Sequence, residues 1–328
     1  MIIKIIYMIV FLLFFISLSQ ILVLGSYVFK KNNEMANVSK NIISSLSHTI
    51  YKNGFNSPIY NSGEYKATTN IDVIIGNHIS SIDFMILISL IRQYDDRDIY
   101  CLIKKNLIFT PGFGFIALSA LDIKLNRKIE DDTNNIIKSL KKIKSGVIII
   151  LPEGTRYDPK KYRESCSYSK ENNLTVYRNT LYPKMKGLYK ICEILTNENR
   201  MGNIIDLTIM IENLKNKKAR ISQVLSTNLG NTFGIINTYL PPTQYNLSSY
   251  DNFKSWFLPI WDNKDRILDN INTVNDSNIY TIVKSKLKSS EYILLVFIVS
   301  LFLYLLNSNP KYILYSFIIT YLIAFVKK

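Results

Sequence analysis

Three strand-like runs, Ile71–Ile75, Val147–Leu151 and Ile204–Met210, alternate along the chain with two helix-like stretches, Asp83–Arg92 and Asn134–Lys144. This alternation constrains the fold more than any other feature of the sequence. Strands joined through helices lie parallel, and the intervening helices cover the faces of the sheet they form. The expected core is therefore α/β, a mostly parallel sheet flanked by helices. No internal repeat interrupts the pattern.

Two short polar motifs directly follow two of these strands. Asn77-His78-Ile79-Ser80-Ser81-Ile82-Asp83 follows the first, and Pro152-Glu153-Gly154-Thr155-Arg156 follows the second. Histidine is the usual general base near neutral pH, and a base needs a partner that fixes its tautomer. Asp83, five residues after His78, can supply that partner if the chain turns between them. Ser80 to Asp83 also reads as a helix capping box. A carboxylate has lone pairs enough for both duties. In the second motif Gly154 permits an unusual backbone conformation. Thr155 and backbone N–H groups can donate to an anion, and Arg156 can fork onto a phosphate. An ordinary strand-to-loop turn would read the same way. Lys104, Lys105 and Arg127 lie between the motifs, either as phosphate contacts or as solvated surface charge. The apolar run Phe113–Ile123 suits a core segment, or one facing acyl chains or bilayer.

The ends of the chain are apolar. Ile5–Phe29 has Gln20 as its one strongly polar interruption, and a spanning helix needs about 20 such residues. A signal peptide would have a shorter apolar core and a small-residue cleavage site. Lys30, Lys31 and Lys40 follow it, against Lys4 before it, which puts the following chain in the cytosol. Near the other end, Tyr292–Leu306 and Tyr312–Val326 flank Asn309 and Pro310, a helix cap and a first helical residue. Each run would extend about 22 Å as helix, against a hydrocarbon core of about 30 Å. Both a two-pass and a re-entrant hairpin fit. Lys284, Lys286 and Lys288 before it, and Lys327 and Lys328 after it, put both flanks in the cytosol. The net charge of +15 calls for an anionic partner. With apolar residues crowded at the ends, that partner is a membrane surface or a phosphorylated substrate, not nucleic acid. Three scattered cysteines, Cys101, Cys166 and Cys192, make neither a disulfide framework nor a zinc site.

The segments expected are an anchor at 1–31, a connector at 32–66, a central α/β domain at 67–245, a C-terminal helical extension at 246–288 and a hydrophobic hairpin at 289–328. The extension carries Trp256, Phe257 and Trp261 ahead of Asp262-Asn263-Lys264-Asp265. It reads as an aromatic-anchored helix whose role is not legible.

The two motifs together resemble those of the glycerolipid acyltransferase family. Lys104, Leu107, Pro111, Gly114 and Phe115, ending in Arg127, resemble that family's second block. Leu181-Tyr182-Pro183-Lys184-Met185-Lys186-Gly187 resembles its fourth. This last block and the Trp261 to Asp265 segment are similar to the eukaryotic branch that includes lysocardiolipin and lysophosphatidate acyltransferases. The resemblance runs from about residue 70 to residue 270. It implies transfer of an acyl group from acyl-CoA to the free glycerol hydroxyl of lysophosphatidic acid, giving phosphatidic acid. Lysocardiolipin or another lysophospholipid is the rival acceptor. His78 would be the base and Asp83 its partner. Asn77, Ser80, Lys104 and Arg127 would contact substrate, with Glu153, Gly154, Thr155 and Arg156 placing the acceptor and Pro183 shaping the pocket. No bound cofactor or metal is implied. Acyl-CoA is a co-substrate, and the setting is an integral protein of an endoplasmic-reticulum-type membrane with a cytosolic catalytic domain. Leu151 departs from the family's frequent Phe. Lys184 departs from its branch's usual Arg, which weakens any bidentate anion contact there. Two other readings remain, a silent lipid-binding membrane module and a hydrolase using Cys166 or a serine. The second lacks a GxSxG elbow.

Overall fold

The computed structural model describes residues 58–80, 83–104, 123–125, 129–214, 229–270 and 281–283. Its strands are β1 (Ile59–Ser62), β2 (Ile71–Gly76), β3 (Ile99–Lys104), β4 (Ile123–Leu125), β5 (Gly146–Ile150), β6 (Met201–Ile211), β7 (Thr232–Tyr239) and β8 (Thr281–Ile282). Its helices are α1 (Asp83–Ile91), α2 (Ile129–Leu140), α3 (Pro159–Glu171), α4 (Lys186–Asn197), α5 (Gln244–Leu247) and α6 (Tyr250–Asn270).

These strands form one eight-stranded sheet in the order β4-β3-β5-β2-β6-β7-β1-β8. Pairing is parallel from β4 through β6 and between β1 and β7. It is antiparallel between β6 and β7 and between β1 and β8. Alternate residues of a strand face opposite sides, and here both sides are covered. On one side Ile74, Ile149, Ile205 and Leu207 pack against Ile86, Leu87 and Leu90 of α1. On the other, Val73, Ile75, Ile148 and Ile204 pack against Leu188 and Ile191 of α4 and Phe257 and Trp261 of α6. Burial on both faces is why β2 and β5 read as nearly continuous apolar runs. Asp72 is the exception in β2. Its carboxylate sits at the start of the strand, accepts from Thr68 and Asn203, and pairs with Arg97 at 2.5 Å.

The mostly parallel α/β core predicted from the alternation is the one observed. The sheet reaches beyond the segment drawn for it, however. β1 comes from the expected connector, and β8 and α6 from the expected extension. β1 and β8 are short and polar in sequence, and Asn61 is buried only because it bonds Thr281 and Tyr94 across the chain. No local periodicity announces such strands. The antiparallel β7 is likewise fixed by its long ladder with β6 rather than by its own pattern. Ile5–Phe29, the hairpin at 289–328, Phe113–Leu121 and Arg127 lie outside the described residues. Among the described residues no helix is long and apolar enough to cross a membrane.

Candidate active site

β2 and β5 are parallel neighbours, with Ile75 opposite Ile150. Both motifs therefore leave the sheet at the same edge, the carboxyl ends of adjacent parallel strands, where α/β folds build their sites. The strand end is packed tightly. A methyl group on Gly76 would come within 2.9 Å of Leu151 Cδ2 and 3.2 Å of Leu87 Cδ1. Asn77 is fully buried, and its amide both donates to the Ile209 carbonyl and accepts from the Ile209 N–H, each at 2.8 Å. It fastens β2 to β6 one residue before the histidine. Its side chain holds the strand end rather than facing a substrate.

His78 follows with its ring 19% exposed. Its Nδ1 lies 2.7 Å from Oδ2 of the wholly buried Asp83. The Asp83 carboxylate also accepts the Ser80 N–H, at 2.9 Å to each oxygen. One side chain thus closes the first turn of α1 and holds the imidazole, so the capping and orienting readings of Asp83 describe the same geometry. An ionised carboxylate only accepts, which puts the ring proton on Nδ1 and leaves Nε2 with its lone pair free to take a proton.

The second motif braces the first. Glu153 is buried, and its Oε1 accepts the His78 N–H at 2.7 Å while Oε2 accepts the Leu181 N–H at 3.1 Å. Burial pushes its carboxyl up to about 8. The two backbone donors and Lys264 act against that shift, and Asp83 adds to it. Tyr157 N–H donates to the His78 carbonyl at 2.7 Å, so His78 is held on both sides of its backbone. Gly154 takes φ +66°, a left-handed conformation that favours glycine, and its N–H closes a turn onto Leu151. Thr155 is half-buried and Arg156 exposed at the rim. Lys184 N–H donates to the Pro152 carbonyl at 2.7 Å. Its side chain crosses Gly154, with Cδ 3.3 Å and Nζ 3.8 Å from where a methyl would stand. Lys184 thereby joins the anion turn, whereas its departure from the branch's usual Arg leads one to expect only a weakened anion contact. Pro183 beside it is buried. Lys104 ends β3, the next strand beyond β5, and is exposed at this same edge of the sheet.

Residues 60–212 match the family model described as Acyltransferase. Over that segment, a little under half of its length, the chain is similar to the acyltransferase family. Lysocardiolipin acyltransferase 1 of Gallus gallus is 31% identical over 143 residues, which make up 42% of this chain and 38% of that protein. The Danio rerio and Mus musculus proteins of the same name are 29% and 28% identical over the same length. The matches span under two fifths of these relatives' length. The crystal structure of the 1-acyl-sn-glycerophosphate (LPA) acyltransferase PlsC from Thermotoga maritima superposes with a TM-score of 0.54 at 13% identity. It covers 82% of this chain and 95% of that one, so the likeness is one of fold.

Helix α6 lies beyond the segment that matches the family model, yet it supports the site. Trp261 Nε1–H donates to the Leu181 carbonyl at 3.2 Å. Asp265 accepts from the backbone N–H groups of Arg178, Asn179 and Thr180 and from the Thr180 hydroxyl, all at 2.9–3.0 Å. It sets the loop that delivers Pro183 and Lys184. The sequence signal for this role is an acidic residue one turn past an aromatic stripe, which by itself reads as a solvated face. Asp265→Ala leaves three backbone donors without their acceptor and is expected to destabilise the protein by roughly 3 kcal/mol. Chemical denaturation measures this, and an unchanged midpoint would refute the role.

Proposed function

We infer that the domain is an acyl-CoA-dependent O-acyltransferase that acylates the free glycerol hydroxyl of lysophosphatidic acid to give phosphatidic acid. The observation that carries this reading is the 2.7 Å contact of His78 Nδ1 with buried Asp83, at a strand end that also bears a glycine-based anion turn. Nε2 takes the hydroxyl proton as the oxygen attacks the thioester carbonyl. The tetrahedral intermediate collapses with cleavage of the C–S bond. The coenzyme A thiolate leaves, and the proton held by the imidazolium goes to it. Asp83 keeps the ring in one tautomer and stabilises its charged form. No covalent acyl-enzyme is needed. Arg156, Thr155 and the backbone around Gly154 receive the acceptor phosphate, with Lys104 and Arg127 as further positive charge. Glu153 acts by holding the turn.

The terminal apolar segments, with their basic flanks, suit an integral protein of an endoplasmic-reticulum-type membrane with this site on the cytosolic side. Acyl-CoA arrives there from water and lysophospholipid from the bilayer. Lysocardiolipin is the second acceptor worth testing, because the curated relatives carry that name. Purified protein given one acyl-CoA and a panel of lysophospholipids, read by mass spectrometry, decides between them. Phosphatidic acid as the dominant product supports the reading. Transfer to no acceptor removes it.

The position of Lys184 over Gly154 makes a prediction about headgroup choice. Lys184→Gln is expected to lower kcat/KM for lysophosphatidic acid by roughly tenfold, about 1.4 kcal/mol. Its kcat/KM for lysophosphatidylcholine, a zwitterion, should change less than about twofold. Equal losses on both acceptors would show that Lys184 does not read the phosphate.

A further inference from the structure

We propose that Lys264 is a positioning residue for His78: from helix α6 its ammonium ties down the carboxyl end of β2 and so fixes where the imidazole stands. This rests on the acyltransferase reading of the site, and its test includes a readout that does not.

Lys264 is wholly buried, in line with the aromatic residues that dock α6 on the sheet. Its Nζ lies 2.5 Å from Asp206 Oδ1, 3.1 Å from the Leu207 carbonyl, 3.2 Å from Thr208 Oγ1 and 3.4 Å from the Ile75 carbonyl. In the sheet register Ile75 stands opposite Asp206, and Gly76 opposite Leu207. The ammonium therefore bridges β2 and β6 at the rung where β2 leaves the sheet. His78 is three residues on. Asn77 grips Ile209 just above, so the strand end is pinned twice across the same pair of strands.

Stability alone is a poor reason for this arrangement. Desolvating a lysine and an aspartate costs several kcal/mol each, and well-packed apolar residues of similar volume often do as well or better. The position of the cation is the informative feature. It stands under the catalytic strand end, and its charge also reaches Glu153, the other brace of His78: each of the two groups favours the charged form of the other. Through Asp265, the next residue, the same helix sets the loop leading to Pro183. The two halves of the site, one on β2 and one on the 178–184 loop, are registered against each other from a helix outside the matched family segment.

The experiment compares three variants of the full chain in detergent. Asp206→Asn/Lys264→Met removes both buried charges and keeps their shapes. Thr208→Val removes one acceptor of the ammonium, and Thr208→Ser restores it. Each is read by thermal melting, by kcat and KM for acyl-CoA, and by the imidazole 15N signals of the protein's two histidines. The expected result for the double variant is a melt within a few degrees of wild type, a kcat lower by about tenfold or more, and a KM within twofold. Its His78 nitrogen signals move and broaden, while those of His48 stay put. Thr208→Val shows a smaller kcat loss that Thr208→Ser rescues. Unmoved His78 signals in a folded double variant overturn the proposal. So does wild-type kcat in both the double variant and Thr208→Val, or, if the double variant does not fold, in Thr208→Val alone. A wild-type protein that transfers no acyl group sinks the functional reading instead, and the nitrogen signals still decide the role of Lys264.

Discussion

His78→Ala is expected to lower kcat for acyl transfer by at least about a hundredfold, the lower end of what a positioned general base contributes, without changing the melting temperature by more than a few degrees. The two halves of this expectation come from different atoms of one residue. His78 holds the architecture through its backbone, with its N–H on Glu153 and its carbonyl under Tyr157 N–H, and alanine keeps both. The side chain is partly exposed and touches Asp83. Once the ring is gone, Asp83 still accepts from Ser80 at 2.9 Å, so the buried carboxylate is not stranded. The measurement is initial-rate product formation with saturating acyl-CoA, alongside a circular-dichroism melt. Near-normal turnover in the folded variant would exclude His78 as the base, and with it the mechanism proposed above. Asp83→Asn provides the internal control. It presents an amide where Nδ1–H needs an acceptor, so it should lose activity through the wrong tautomer and also loosen α1.

Much of this site was legible because its parts announce themselves locally. Mostly apolar strands ending in polar motifs placed His78 and Glu153 at strand ends. The five-residue step from His78 to Asp83 is short enough that a single turn brings them together. What sequence could not give was the direction of side chains. Asn77 and Glu153 look like polar residues offered to a ligand, yet both turn inward onto backbone groups of Ile209, Leu181 and His78 itself. Lys184 looked like a weakened anion contact, yet it lies across the glycine of the anion turn. Lys264 and Asp265 resist a local reading most. They are consecutive, so they point in different directions around α6, and their partners sit on β2, β6 and the 178–180 loop, far away in the chain. Only the packing of α6 against the sheet brings them there. The same long-range cause hides β1 and β8, which are strands by virtue of their neighbours rather than their sequence.

Glu153 should produce a large stability effect, and one that depends on pH. Glu153→Ala removes both acceptors of a bridge between the His78 and Leu181 backbones, leaving two buried donors unpaired at roughly 1–3 kcal/mol each. The pH dependence separates this group from its neighbours. In the unfolded chain its carboxyl titrates at the ordinary value near 4.5, and burial pushes it up to about 8 in the folded protein. Between those values the folded state holds a proton that the unfolded state has released. Stability must therefore fall as pH rises through that window, with a slope set by the difference in bound protons. Below about 4.5 and above about 8 this carboxyl contributes no slope. Glu153→Gln abolishes the titration. It also opposes an amide NH2 to one backbone N–H, whereas the protonated acid keeps an acceptor oxygen for each. The variant should therefore melt well below wild type at pH 5, and the gap should narrow steadily toward pH 8 as the wild-type protein loses its proton. Differential scanning fluorimetry of both proteins across pH 5–9 measures the gap, which cancels every titration the two share. A gap that stays constant with pH would mean that Glu153 is ionised throughout, stabilised by His78 N–H, Leu181 N–H and Lys264 strongly enough to offset its burial.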